Sequence, residues 1–357
     1  MAKGPESLVR DDIRALSGYH VAPAKGMVKL DAMENPYRLP PALAAQMGER
    51  LAQVAVNRYP DPSGAGLKLK LRDAMGIAPE LELMLGNGSD EILQIVSLAL
   101  AKPGACVLSL EPSFVMYRLA AIAAGMRYAG VALREDFTLD AAALLEAIGR
   151  ERPALTWIAY PNNPSGNLFP REAILAAVQA SPGLVVVDEA YYPFAGGASL
   201  VDELANHPNL LVVRTVSKLG LAGLRVGVAI GAPAWMHELE KLRMPYNVNS
   251  LSAAAAELLL DHKDVFERQA ADIVAERARL EGALDAMPRA RRFPSAANFI
   301  LVRVPDGPHA FEALRQRGIL VRTFHGSHPL LAHCLRLTVG TPDENTRMLE
   351  ALAPALG

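Results

Sequence analysis

From about residue 66 to 245, short apolar runs alternate with stretches whose apolar residues recur at helical spacing. "LELMLG", "ACVLSL", "ALTWIAY", "GLVVVDEA", "NLLVVRTVS" and "VGVAIG" read as strands. "LKLKLRDAM", "SDEILQIVSLALA", "SFVMYRLAAIAAG", "REAILAAVQAS" and "AWMHELEKLR" read as helices. The strands are apolar at nearly every position, so both of their faces are covered. Such strands separated by helices predict an α/β architecture with a mostly parallel sheet between helical layers.

The texture changes after Ser250. "SAAAAELLLDHKDVFERQAADIVAERARLEGALDAM" predicts one or two long helices, broken near Asp261–Asp264. "NFILVRV", "FEALRQRGILVRTF" and "CLRLTVG" then predict strand, helix–strand and strand, with a closing helix from Asp343. The first 40 or so residues are rich in turn formers ("VAPAKG", "ENPYRLPP") and read as an arm draped over the body. A chain of 357 residues also exceeds the roughly 250–300 at which a single core stops growing. We therefore expect an N-terminal arm (1–40), a large domain (41–250) and a smaller C-terminal α/β domain (251–357).

Charge narrows the function classes. The formal net charge is −2 and no run of five like charges occurs, which argues against a nucleic-acid partner. The start of the chain lacks an apolar stretch of signal-peptide length, and runs such as "IVSLALA" are too short to span a bilayer. Two cysteines, Cys106 and Cys334, lie in apolar strand-like runs and read as buried small hydrophobes rather than a disulfide framework. A cytoplasmic protein is expected. His325, His328 and His333 gather beside Cys334, but their spacing matches no zinc pattern, and we expect a solvated loop without metal.

The chemistry collects where strands end, which is where open α/β sheets bind ligands. "LELMLG" closes in "NGSDE", a strand–glycine–helix junction suited to a phosphate, because bare N–H groups and the helix dipole favour an anion. The alternative reading is an ordinary helix start with Asn87 as N-cap and Asp90 at N3. As a phosphate cradle it uses Gly88, Ser89 and Asp90, with the Asp90 carboxylate turned away. It is not a dinucleotide fingerprint, since Glu91 stands where the third glycine belongs.

"GLVVVDEA" delivers Asp188 to a strand end, either to cap the next segment or to pair with a ring nitrogen, and Tyr191 follows. Asn163 in "PNNPSG" is either a turn residue or a ligand to an oxygen. "NLLVVRTVSK" ends in Ser217 and Lys218; a lysine partly desolvated at a sheet rim has a lowered pKa and becomes a nucleophile. Arg225 suits bidentate contact with an anion. Together these residues describe one ligand with a phosphate, a basic ring nitrogen, a phenolic oxygen and an aldehyde, with Tyr117 to stack on its face. Pyridoxal 5'-phosphate has that constitution.

"ENPY", "RYPDP", "NGSDE", "EPSFVMY", "PNNPSG", "VVDEAY", "SKLGLAGLRVG" and "LRLTVG" occur in an order that resembles the class II aminotransferases of fold type I, most closely the histidinol-phosphate aminotransferases among them. The resemblance runs from about Tyr19 to Asn345. It implies a seven-stranded sheet and a homodimer with shared sites. It implies that Lys218 carries the cofactor and shuttles the proton, that Asp188 keeps the ring nitrogen protonated, and that Tyr191 and Asn163 bind the 3'-oxygen. Ser89, Asp90, Ser217 and Arg225 would hold the phosphate, and Tyr59 would reach the cofactor of the neighbouring subunit.

The implied reaction moves an amino group between L-histidinol phosphate, a phosphorylated amino alcohol, and 2-oxoglutarate, giving glutamate, in histidine biosynthesis. Arg322 and Arg336 are typed to hold phosphate and carboxylates in turn, with Tyr19 and Asn35 of the arm beside them. A solvent-facing role is the alternative for Arg322. Rival chemistries on the same fold are aromatic amino-acid transamination and threonine-phosphate decarboxylation. A non-catalytic regulator is disfavoured by the intact cofactor residues. Two features depart from the family's commonest pattern: Lys218 to Arg225 spans seven steps where many relatives have eight, and Arg38 follows "ENPY" where glycine is frequent.

Overall fold

The strands gather into two sheets. The first is built from β2 (Glu82–Asn87), β3 (Cys106–Glu111), β4 (Arg127–Ala132), β5 (Leu155–Ala159), β6 (Leu184–Asp188), β7 (Leu210–Thr215) and β8 (Val226–Gly231), following a short β1 (Val28–Leu30) that belongs to the other. The second adds β9 (Arg291–Arg292), β10 (Phe299–Arg303), β11 (Ile319–Thr323) and β12 (Cys334–Thr338). The computed structural model describes residues 4–18 and 22–357.

The seven-stranded sheet runs β2-β8-β7-β6-β5-β3-β4. Its continuous apolar runs are explained by two cores, one on each face. Val185, Val187 and Val212 enter one cluster, while Val186, Leu211 and Val213 enter the other. Side chains alternate across a strand, so a strand covered on both sides must be apolar at odd and even positions alike. Along the sheet β8 alone is antiparallel to its neighbours, β2 and β7; the other pairings are parallel. That reversal brings the start of β8 to the rim where the parallel strands end. Lys218, just past β7, and Arg225, just before β8, therefore share one edge.

β4 is the strand that the apolar pattern does not announce. It lies at the sheet edge, and within it only Val131 is fully buried, so "RYAGVA" carries a weak signal. The helices Pro41–Ala52 and Ala141–Glu151 were likewise not anticipated. The second opens on Asp140, whose carboxylate accepts from Ala143 N at 3.1 Å, an N-cap. The long helical run past Ser250 does break, into Ser250–Leu260 and Lys263–Asp285.

The second sheet runs β1-β11-β12-β10-β9. β1 pairs in parallel with β11, Leu30 opposite Val321, and Leu30 is buried. The arm is therefore woven into the small sheet rather than only laid over it. Cys106 and Cys334 are both free and buried, as expected. Among the described residues no helix is long and apolar enough to cross a membrane.

Candidate active site

The ends of β2, β5, β6 and β7 and the start of β8 surround a cavity of about 570 Å³. Ser89, Asp90, Asn163, Asp188, Tyr191 and Ser217 line it, together with Lys218, Arg225, Arg322 and Arg336. Residues spread from 89 to 336 in sequence thus meet in one space.

At one end, the helix Ser89–Leu100 begins at the cavity wall. Its N-cap is Gly88, not Asn87, with φ of 79°, a conformation that disfavours side chains. A β-carbon at Gly88 would sit 2.3 Å from Arg225 Nη2, and one at Gly227 would sit 2.5 Å from Ser89 N. The glycines let the Arg225 guanidinium and the helix start approach the backbone closely. Asp90 meets Arg225 at 3.5 Å. Glu91 reaches back to accept from Asn87 N at 2.6 Å.

The seven-step link from Lys218 to Arg225 has a defined path. Two single 3₁₀ turns, Ser217–Leu219 and Ala222–Leu224, fold the chain back, and Arg225 closes the bend in a left-handed conformation (φ 55°). Gly88 N donates to Arg225 O at 2.7 Å, which ties the bend to the helix start. Thr215 Oγ1 donates to Ser217 Oγ at 2.9 Å and accepts from Ser217 N at 3.1 Å, fixing the first turn.

Lys218 points into the cavity. Its Nζ donates to Ala32 O of the arm at 3.2 Å and lies 5.7 Å from the centre of the Tyr191 ring. Burial, and then the charge of Arg336, lower its pKa to about 8. A fraction of the amine is therefore neutral near pH 7 and able to attack an aldehyde.

Asp188 closes β6 with 5% of its surface exposed. Its partners are two uncharged donors, Tyr117 Oη at 2.8 Å and Ala190 N at 3.0 Å. Burial pushes its pKa up to about 6, the two donors oppose that rise, and Asp90 and Glu189, of its own sign, add to it. Such a carboxylate favours a cationic partner from a ligand.

Tyr117 is tied to Asp188. It is fully buried, its ring stacks on Trp157 at 5.2 Å, and its hydroxyl is committed to Asp188. Burial and the Asp188 carboxylate push its phenol pKa well up, so it stays a donor. It lines the cavity beside Asp188 and holds that carboxylate through its hydroxyl. Phe114, three residues earlier, is the half-buried aromatic on the cavity wall, edge-on to Tyr117 at 5.6 Å. In "EPSFVMY" two aromatics sit three apart; both line the cavity, and only the fold says that Tyr117 is the one bonded to Asp188.

On the opposite wall, Asn163 Nδ2 donates to Tyr191 Oη at 3.2 Å, and Asn163 Oδ1 accepts from Arg336 Nη1 at 2.6 Å. Arg336 also donates to Asp31 O of the arm at 2.8 Å. Arg322 and Arg336 are direct cross-strand partners in the β11–β12 pairing. Like charges opposed in this way repel, and an anion between or beside them relieves the repulsion.

Two of the expected residues do not line this cavity. Asn35 is not on the cavity wall: its amide donates to Leu219 O and to Gln269 Oε1, each at 2.9 Å, and ties the arm to the lysine turn. Tyr59 is 81% exposed and stacks on Tyr246 at 4.5 Å, away from this cavity. Tyr19 lies outside the described residues.

The histidines near Cys334 serve loop backbone. Nδ1 of His328, His333 and His325 accepts from Leu330 N, Gly307 N and His333 N respectively.

These residues fit pyridoxal 5'-phosphate. The helix start at Ser89 with Arg225 beside it suits a phosphate, the Lys218 amine suits an aldehyde, and Asp188, buried against two uncharged donors, suits a protonated ring nitrogen. The family model for aminotransferase class I and II matches residues 25–352. The chain belongs to that aminotransferase family. It is 55% identical to the histidinol-phosphate aminotransferase of Chromobacterium violaceum over 97% of each chain. It is 54% identical to histidinol-phosphate aminotransferase 1 of Burkholderia lata over 99% of each. The crystal structure of histidinol-phosphate aminotransferase from Sinorhizobium meliloti in complex with pyridoxal-5'-phosphate superposes with a TM-score of 0.86 at 26% identity, covering 97% of this chain and 96% of that one. In this aminotransferase Lys218 stands just past the end of β7 and on the cavity wall.

Proposed function

We propose that the protein is a pyridoxal-phosphate-dependent aminotransferase that moves an amino group between L-histidinol phosphate and 2-oxoglutarate, as the names of its full-length relatives suggest. The observation that carries the reading is the placement of Lys218, Asp188 and the Arg322–Arg336 pair on the walls of one cavity. An anion held by the arginines leaves the atom next to it within reach of the lysine.

When bound, the cofactor supplies an aldehyde for the amino group and a ring that accepts electron density from the substrate's α-carbon. The chain's own residues do the rest. Ser89, Asp90 and Ser217, with Arg225 and the Gly88 backbone, hold the phosphate. Asp188 keeps the ring nitrogen protonated, and the Tyr117 hydroxyl holds the Asp188 carboxylate in place. Tyr191 and Asn163 hold the 3'-oxygen, and Phe114 covers the ring face. The Lys218 amine removes the proton from the substrate's α-carbon and returns it after relocation, a role its lowered pKa suits. Arg336 and Arg322 grip the donor's phosphate in one half-reaction and the acceptor's carboxylate in the other, so both substrates use one site in turn.

The working unit is a homodimer. Tyr59, Val56 and Met244 are 81%, 75% and 69% exposed, an apolar surface that a second copy would cover. Tyr59 would then reach the cofactor phosphate of its neighbour. The arm (1–40) packs on the small domain (251–357) and on the partner subunit, and the large domain (41–250) carries the cofactor. The reaction is placed in the cytoplasm, where two free buried thiols are at home.

The test mixes cofactor-loaded protein separately with histidinol phosphate, phenylalanine and threonine phosphate, each with 2-oxoglutarate, and measures glutamate and carbon dioxide. Glutamate formed fastest with histidinol phosphate is expected. Glutamate from phenylalanine alone would make it an aromatic aminotransferase, and carbon dioxide from threonine phosphate would make it a decarboxylase.

A further inference from the structure

A second cavity, of about 490 Å³, lies against the first. The two share Met33, Phe114, Asn163, Arg322 and Arg336 as walls. The arginine pair thus stands at the boundary and faces both spaces. The second cavity is completed in part by the loop that joins β11 to β12, which contributes Phe324 and His328. Phe324 lies under both guanidiniums, 6.0 Å from Arg322 and 5.3 Å from Arg336.

His328 has a defined proton. Its Nδ1 accepts a hydrogen bond from Leu330 N at 3.1 Å, capping the short turn Pro329–Leu331. With Nδ1 accepting, the hydrogen this ring can donate is the one on Nε2. The ring lines the second cavity, and among the described residues no partner for Nε2 is seen.

The two substrates differ in reach. A carboxylate of 2-oxoglutarate or glutamate is bonded directly to the reacting carbon. The phosphate of an amino-alcohol phosphate stands further out by a methylene and an oxygen. With the reacting carbon held at Lys218, the outer phosphate oxygens reach further towards the arginine pair and the second cavity behind it than carboxylate oxygens on that carbon do.

We propose that His328 reads the phosphate end of the amino donor, giving its Nε2–H to a phosphate oxygen that extends past the arginine pair into the second cavity. The assignment rests on the donor class proposed above. It makes His328 a residue that separates phosphorylated donors from carboxylate substrates, a distinction the arginines alone do not draw, because both anions satisfy them.

The test is His328→Asn. Asparagine keeps an acceptor for Leu330 N, so the turn stays capped, but its side chain has no donor at the position of Nε2. In the cofactor-loaded dimer, KM for histidinol phosphate should rise roughly tenfold or more, the usual loss when a hydrogen bond to a charged group is removed. KM for 2-oxoglutarate and kcat of the glutamate half-reaction should stay as in the wild type. An unchanged KM for histidinol phosphate overturns the proposal. So does an equal loss for both substrates, which marks a structural role. A wild-type protein that aminates 2-oxoglutarate from phenylalanine but not from histidinol phosphate overturns the donor class itself, and is read before the variant is made.

Discussion

Tyr117 and Asp188 allow a sharp test, because one hydroxyl can be removed without disturbing the packing. In Tyr117→Phe the ring keeps its stack on Trp157, 5.2 Å away and parallel within 1°, and only the donor to Asp188 is lost. A hydrogen bond to a charged, buried group contributes about 1.5–3 kcal/mol. At about 1.4 kcal/mol per pH unit, that corresponds to a shift of roughly 1–2 units in the carboxyl pKa. With the phenol present, Asp188 titrates at about 6. Without it the group should titrate at about 7–8.

The sign follows from the ligand. A protonated ring nitrogen needs the ionised carboxylate, so cofactor affinity is full above the Asp188 pKa and falls below it. The wild-type protein should lose affinity below about pH 6, the variant already below about pH 7–8. The assay titrates cofactor-free protein with pyridoxal phosphate across about pH 5 to 9, following absorbance, with the Lys218 contribution common to both proteins. Superimposable curves of Kd against pH for the two proteins would refute the role given to Tyr117.

Other consequences can be measured directly. Lys218 has its pKa lowered from 10.5 to about 8, so the unfolded chain holds its proton more tightly and folding is penalised below pH 8; the penalty fades as pH rises towards 10.5. Lys218→Met should therefore stabilise the cofactor-free protein at pH 7 by up to about 3.5 kcal/mol in urea unfolding, with no gain above pH 10.5; no gain at pH 7 would contradict the desolvation argument. Arg214 pairs with Glu189 at 2.9 Å, both buried, beside Asp188. Arg214→Ala should cost about 3–5 kcal/mol, because it strands a buried carboxylate, and a loss within experimental error would show the pair to be solvated. Tyr59→Phe should weaken pyridoxal phosphate binding about tenfold or more while sedimentation still shows a dimer; a monomeric wild-type protein with full activity would remove the basis for that prediction.

Much of the site was legible because strand ends are legible. A run such as "LVVVD" or "LLVVRTVSK" must stop being apolar where it leaves the covered sheet, and the polar residue found there stands at the rim. That logic picks out Asp188, Lys218 and Ser89 without a structure. It misses β4, because an edge strand with one fully buried side chain has no need of an apolar run. It misplaces Asn35, whose amide is used up between Leu219 and Gln269, since nothing local says where an arm side chain will find its partners.

The sequence by itself determined the periodicities, and with them the two-faced sheet, the broken helix after Ser250 and the residue types available to hold an anion, an aldehyde and a ring nitrogen. Only the tertiary structure decided which aromatic of "EPSFVMY" supports Asp188, and that Arg322 and Arg336 oppose each other across β11 and β12. It also decided that the turn after Lys218 needs no eighth residue, because Arg225 adopts a left-handed backbone at the start of an antiparallel strand. The physical reason is the same in each case. Periodicity reports how a residue relates to its neighbours in the chain, while direction, register and strand polarity are set by contacts between residues far apart in it.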